Sequence, residues 1–494
     1  MKKTNSGYAA LCKRRKTKDA KKKGYMSANS GCVKNIAQLA MRLLSINSKF
    51  QRLSILPFMM ELTDRFSIKQ HATSSRNLNL RLSLGFCLVL SFVTVLSSPA
   101  LANEAKNTGK PEATPSSPLV VEKQVFEMPL FKTFGGQHIK DVKVGWEAYG
   151  KLNEDKSNVI LITHYFSGSS HAAGKYNPDD AATGYWDSII GPGKAIDTDR
   201  FYVVSVDTLA NLNAYDPNVI TTGPASINPD TGKPYGLDFP VVTIRDFVNV
   251  QKALLESLGI SKLYAVIGPS MGSMQAIDWA TAYPEWVDRM VSVIGAGQSD
   301  AWTTSALEHW ANPIKLDSKW NDGAYTVNDR PIKGLVASLM LITQHALTPT
   351  FFNEQGSNLG FKNIESAPLD DIRQSHSIVR WLRERAEARA ESMDANHLLY
   401  LVRACQLFVA GHDNNLKRSL ASIKAKTLFI PAETDLLLMP YLSQNAHQGL
   451  LSQNKNSTLL TLNGKLGHLE GVSNISAQAK AIRQFLENEK EANL

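Results

Sequence analysis

Residues 263–283 read LYAVIGPSMGSMQAIDWATAY and carry the strongest structural signal in the chain. Ala265, Val266 and Ile267 form a short apolar run of the kind that makes a buried strand. The run ends in Gly268-Pro269-Ser270-Met271-Gly272, after which Met274, Ile277, Trp279 and Ala280 recur at helical spacing. Strand, sharp turn and helix therefore follow one another directly. The two glycines have a steric reason, because strand and helix backbones pass too close at such a turn for side chains. The serine between them stands on a strained tip with its hydroxyl clear of the sheet. The helix N-terminus behind it offers N–H groups to a developing negative charge. Gly-x-Ser-x-Gly in this context is a nucleophile elbow, which makes Ser270 the candidate nucleophile.

Outward from the elbow, strand and helix patterns alternate. VFEMPLFKTFGG and DVKVGWEAYGKL alternate with period two and predict an antiparallel hairpin. Residues 158–163 and 201–206 are continuous apolar runs suited to buried strands. Residues 185–193 read as a short loop or helix. Residues 207–242 hold many turn signals and no period, as a functional loop would. A helix is predicted from Thr243 to Leu258 and a strand at 287–294. From 298 to 415 the pattern becomes helical, with helices expected near 370–392 and 395–409. The sheet resumes at 426–430 and ends at 459–462, and a last helix covers 473–487. The fold class is α/β: a doubly wound, mostly parallel sheet with an inserted helical lid. Residues 123–297 and 416–490 form the core and residues 298–415 the lid.

A serine hydroxyl is a weak nucleophile until a base takes its proton. On an elbow-bearing sheet the chain order is serine, acid, histidine. Pro431-Ala432-Glu433-Thr434-Asp435 follows the 426–430 strand, where an acid loop belongs. Asp435 is the candidate acid and Glu433 its competitor. Gly464 to Glu470 follows the last strand and carries His468, the candidate base. His412, beside Asp413, is the alternative base. The polar loop His164 to Gly168 stands where a second oxyanion donor is expected. His164 and His171 lie seven apart in a loop and the other histidines are scattered, so no metal site is expected. With no Gly-x-Gly-x-x-Gly and no Walker motif, no cofactor is expected either. Residues that bind the substrate are not legible.

The two ends of the chain differ in kind. The 494 residues carry a formal charge of +9, yet residues 1–102 hold 18 Lys and Arg against 3 acidic residues. Residues 81–102, RLSLGFCLVLSFVTVLSSPALA, read as a signal peptide cleaved near Ala102, too short for a membrane span. Residues 1–80 read as an over-extended start, with Met59 or Met60 as initiator, or as a basic arm. Residues 103–122 read as a flexible tether. Cys12, Cys32 and Cys87 lie before Ala102 and only Cys405 follows, so no internal disulfide is expected. A periplasmic or secreted protein without stable membrane insertion is expected. No aromatic platform follows the basic run 13–23, so nucleic acid is not an expected partner.

The stretches HYFSGSSHAAG, YWDSIIGPGKAIDTDRFYVV, TTGPASINPDTGKPYGLDFPVVTIRD, GPSMGSMQAIDWATAYPEWVDRMV and SMDANHLLYLVRA, with TDLLLMP and GHLEG, resemble the homoserine O-acetyltransferase-like family of the α/β-hydrolase superfamily. The resemblance runs from about residue 125 to 487. It implies an α/β-hydrolase core, a helical lid through which two copies pair, and passage of an acyl group through a serine. It implies Ser270 as nucleophile, Asp435 as acid, His468 as base, and the backbone N–H groups of Phe166 and Met271 as oxyanion donors. The chain departs from the family at Pro269 and Ser273, where glycines are usual. It departs again at residues 344–350, QHALTPT, where the family has an arginine for the substrate's α-carboxylate. That departure, with the export signal, points to hydrolysis of a small acyl ester. O-acyl transfer from acetyl-CoA, as co-substrate, to homoserine or another hydroxyl is the alternative, and a non-catalytic binding protein on the same fold is a third.

Overall fold

The computed structural model describes residues 119–487, all within one compact unit, Glu112–Leu494. The expected start region, signal peptide and most of the tether lie outside the described residues. Strand β1 (Gln124–Lys132) pairs antiparallel with β2 (His138–Tyr149). Strands β3 (Val159–Thr163), β4 (Tyr202–Val206), β5 (Ala265–Pro269), β6 (Arg289–Val293), β7 (Lys426–Ile430) and β8 (Ser457–Leu459) complete an eight-stranded sheet. Its order is β1-β2-β4-β3-β5-β6-β7-β8, antiparallel up to β4 and parallel thereafter.

The parallel strands are apolar on both faces because both faces are covered. Leu161, Val204, Val266 and Phe429 point to one side, where they meet α1 (Ile244–Ser257) and α2 (Met271–Ala282). Ile160, Ile162, Val203, Ile267 and Leu428 point to the other. There the C-terminal helix Ala479–Glu487 supplies Ile482 and Leu486. Beside it, turn residues Trp186 and Ile189 and the short strand Ile196–Asp197, through Ile196, add their side chains. Trp186 is fully buried and its Nε1–H donates to Gly471 O at 3.0 Å, so an indole in a loop fills a place a helix could take. Burying one such large side chain contributes roughly 1.5–3 kcal/mol.

Three boundaries differ from expectation. Residues 119–122 are not tether: Val121 N–H donates to Lys175 O, and Lys175 N–H to Leu119 O. The polar composition of 103–118 hid this anchor. The last strand begins at Ser457, because its ladder with β7 opens at Thr427 opposite Ser457; Leu462 is reached as an isolated bridge to Ala432. The lid closes earlier than 415. Gln298 pairs with Val409, and Ala410 N–H donates to Gly297 O, forming a neck.

Within the lid lie α3 (Ala301–Leu316), α4 (Ile332–Ala346), α5 (Pro349–Asn358), α6 (Ser377–Ala390) and α7 (Ala395–Gln406). Helix α5 was not expected, having no apolar period. It is started by its ends: Thr348 Oγ1 accepts from Phe351 N–H at 3.1 Å and Pro349 occupies the first turn. The SMDAN motif explains how the lid is held to the core. Asp394 caps α7, accepting from His397 N–H, and takes the hydroxyls of Tyr215 and Tyr325, each at 2.8 Å. His397 Nδ1 bonds Asn211 O at 2.7 Å, and its Nε2 accepts from Ala225 N–H. The lid is thus bolted to the long 207–242 loop. Among the described residues no single helix is long and apolar enough to cross a membrane.

Candidate active site

The elbow is built as its glycines require. A Cβ on Gly268 would lie 2.1 Å from Thr163 Oγ1 and 2.4 Å from Gly272 O. A Cβ on Gly272 would lie 2.0 Å from Thr163 O. Strand β3 therefore presses against the turn, and neither position admits a side chain. Ser270 is forced to φ 58°, ψ −121°, a conformation that costs a non-glycine residue about 1–3 kcal/mol. The two departures from the family pattern are accommodated. Pro269 ends β5, where its missing N–H is tolerated. Ser273 turns inward to share a 2.9 Å hydrogen bond with Ser292.

Ser270, His468 and Asp435 form one hydrogen-bonded chain. Ser270 Oγ lies 2.7 Å from His468 Nε2, and His468 Nδ1 lies 2.7 Å from Asp435 Oδ2. Exposure is only 7 %, 5 % and 2 %, so bulk water does not compete for these bonds. The other carboxylate oxygen of Asp435 accepts from Leu437 N–H at 2.8 Å and Leu438 N–H at 3.0 Å. Those bonds fix the carboxylate plane. The imidazole then carries its proton on Nδ1 and offers Nε2 to the serine. The histidine loop is gripped from two sides. Thr348 of the lid hydrogen-bonds Lys465 O, and the buried Glu470 accepts from Leu466 N–H at 2.8 Å. The rival groups lie elsewhere: Glu433 is exposed, and His412 packs between Phe134 and Phe408 and faces Asp278 at 3.8 Å.

Phe166 and Met271 both line the cavity above Ser270, and neither N–H donates to an acceptor among the described residues. Met271 opens α2, whose first N–H groups have no partner within the helix. Phe166 is held from behind. His164, fully buried, bonds Tyr165 O through Nδ1 and accepts from Thr208 N–H through Nε2. Burial lowers its pKa, so it stays neutral. Asn211 and Asn213 donate to Gly168 O and Ser167 O, so the 207–242 loop shapes this donor segment.

Below lies a charged knot. Lys123 Nζ meets Glu147 at 2.8 Å and Asp207 at 3.5 Å and hydrogen-bonds Ser170. Glu147 also accepts from Tyr149, Tyr176 and His171. Burial alone would raise the Glu147 carboxyl, but the His171 bond and the Lys123 charge outweigh it and hold the pKa at about 2. Asp207 accepts from Ser170 N–H at 2.6 Å, so the knot fixes the end of the loop that carries Phe166.

The cavity encloses about 570 Å³. Its walls are mostly apolar, with Met274, Leu307, Trp310, Ile342 and Leu438. Two lining residues were not legible in sequence. Cys405 is a buried thiol whose pKa burial pushes up to about 12, which leaves it unreactive. Arg389 reaches the cavity from α6. Residues 344–350 hold no arginine, as read from the sequence, and the arginine that does line the cavity comes from a different helix. Among the described residues no three His, Cys, Asp or Glu side chains gather as a metal site needs.

A family model described as alpha/beta hydrolase fold matches residues 217–461. The homoserine O-acetyltransferase of Methanococcoides burtonii is 37% identical over 339 residues, covering 68% of this chain and 68% of that protein. The homoserine O-acetyltransferase of Symbiobacterium thermophilum is 34% identical over 378 residues, covering 76% and 93%. Among solved structures, esterase E22 is 83% identical with a TM-score of 0.74, covering 74% of this chain and 100% of that one. The homoserine O-acetyltransferase of Bacillus anthracis is 36% identical with a TM-score of 0.73, covering 76% and 100%.

Proposed function

The chain belongs to the homoserine O-acetyltransferase family of the α/β-hydrolase superfamily, and we propose that within it this protein is a serine esterase that passes a small acyl group from an ester to Ser270 and then to water. The carrying observation is the cavity. It opens on the Ser270–His468–Asp435 chain, and among the described residues no Asp or Glu lines it. Homoserine brings an ammonium group, which on leaving water for an apolar cavity needs a carboxylate partner. A simple ester needs none. The similarity to esterase E22 supports the same reading.

The steps follow the geometry. Ser270 Oγ attacks the ester carbonyl carbon while its proton passes to His468 Nε2. Asp435 stabilises the imidazolium without taking its proton. The carbonyl oxygen gains charge and is received by the N–H groups of Phe166 and Met271. The alcohol leaves with the proton from Nε2. Water then attacks the acyl-serine, giving its proton to Nε2, and Ser270 departs as the free hydroxyl with the acid as second product. Cleavage near Ala102 and export would place this chemistry where acetyl-CoA is not ordinarily supplied.

The purified protein is expected to consume p-nitrophenyl acetate at a rate that homoserine does not change, and to leave acetyl-CoA intact. Following both compounds with and without homoserine checks this. Acetyl-CoA loss accelerated by homoserine, with O-acetylhomoserine appearing, contradicts it.

A homodimer through the lid belongs to the same proposal. Leu316, Ile364, Leu369 and Ile372 of the lid are exposed, Ile372 at 97 %. Such apolar groups favour a covered face. Sedimentation at micromolar concentration is expected to give a dimer and, for a Leu369→Asp/Ile372→Asp variant, a monomer. A monomeric wild type counts against the lid interface.

A further inference from the structure

Among the described residues, Arg389 is the one arginine or lysine lining the cavity. Its position is costly. The side chain is largely buried, and among the described residues its one hydrogen bond runs from Nη1 to Thr343 Oγ1 at 3.1 Å, across from α6 to α4. No carboxylate among the described residues faces it. Arg245 shows what this chain does with a buried guanidinium that serves structure. It meets Asp278 at two points, 2.6 and 3.0 Å. Thr343 does not require Arg389, since its hydroxyl already donates to Leu339 O within α4 at 2.8 Å. Burial lowers the guanidinium pKa, but an arginine stays charged at neutral pH.

Resting on the esterase reading above, we propose that Arg389 anchors a carboxylate carried by the substrate, so that the preferred substrates are short esters bearing a free carboxylate group. The guanidinium fork matches a carboxylate in plane and charge. Met274, Leu307 and Ile342 line the space that the intervening hydrocarbon would take. The anion can sit on the acyl side or on the alcohol side of the ester, and the test separates the two.

On the acyl side, p-nitrophenyl hemisuccinate is compared with p-nitrophenyl pentanoate. On the alcohol side, acetoxyacetate is compared with propyl acetate. The readout is the ratio of kcat/KM, anionic over neutral, within each variant, so any general loss of activity cancels. Wild type is expected to favour the anion on one side. Arg389→Gln is expected to lower that ratio roughly 10- to 100-fold, mainly through KM, with Arg389→Lys retaining part of it. Independently of any variant, butyrate should inhibit wild-type hydrolysis of p-nitrophenyl acetate competitively where butanol does not. A ratio unmoved by Arg389→Gln, or neutral preference on both sides with no inhibition by butyrate, overturns the anchor while the esterase reading stands. Absence of turnover on every ester overturns both.

Discussion

Ser270→Ala is expected to lower kcat/KM for p-nitrophenyl acetate by about 10⁴-fold or more while leaving the protein folded. The size of the effect follows from what Ser270 does alone. Its Oγ is the one hydroxyl bonded to His468 Nε2, at the head of a chain whose other end is pinned by two backbone N–H groups. Without it the imidazole has no nucleophile to activate, and what remains is binding and the oxyanion donors. The fold should survive because the strained backbone at 270 is imposed by neighbours. Gly268, Gly272 and Thr163 hold the turn, and alanine bears the same φ and ψ as serine. Turnover measured beside far-ultraviolet circular dichroism and a melting curve checks both halves. Activity within roughly an order of magnitude of wild type, in a folded variant, counts against the assignment.

The second large effect is on stability. Lys123→Met is expected to destabilise the protein by about 3–5 kcal/mol at neutral pH, because it strands a buried carboxylate. The side chain of Glu147 is 0 % exposed and that of Lys123 only 11 %, so solvent cannot replace the lost cation. The pH dependence carries a sign. In the fold Glu147 is held at about 2, below its ordinary 4.5, by His171 and Lys123 against the cost of burial. Its contribution is therefore complete above pH 4.5 and is lost as the pH falls from 4.5 toward 2. Removing Lys123 raises the folded pKa, so the variant should lose less stability than wild type across that window, starting from a lower plateau. Urea denaturation at neutral pH and through the acid range measures both. A change below about 1 kcal/mol at neutral pH, as for a surface pair, contradicts a buried knot.

The elbow was legible because its chemistry is local. Two glycines, a serine and a change from strand to helical period fall within one short stretch, and the clashes a Cβ would meet at Gly268 and Gly272 are the reason. Asp435 and His468 could be named because each follows a strand that the apolar pattern marks. What joins them, a 2.7 Å contact across 33 residues and another across 198, is tertiary. Arg389 was missed for the same reason. Helix α6 carries Arg380, Arg383, Arg385 and Arg389; the first three are exposed, and only the packing of α6 on α4 brings the fourth to the cavity. The knot was missed because Lys123 stands at the edge of the stretch read as tether, and its partners are scattered through Glu147, Ser170 and Asp207. Trp186 shows a different limit, since a single buried indole in irregular chain carries no periodic signal.

The proposed mechanism rests on an acyl group carried on Ser270 and released to water. It is tested most directly by mixing the enzyme with p-nitrophenyl acetate, quenching in acid at short times, and mapping acetylated peptides by mass spectrometry. The expected result is acetyl on the peptide containing Ser270, absent from Ser270→Ala and decaying at the same rate with or without homoserine. Acetyl found on another residue, no acetylated peptide at any time, or decay that waits for homoserine would contradict it.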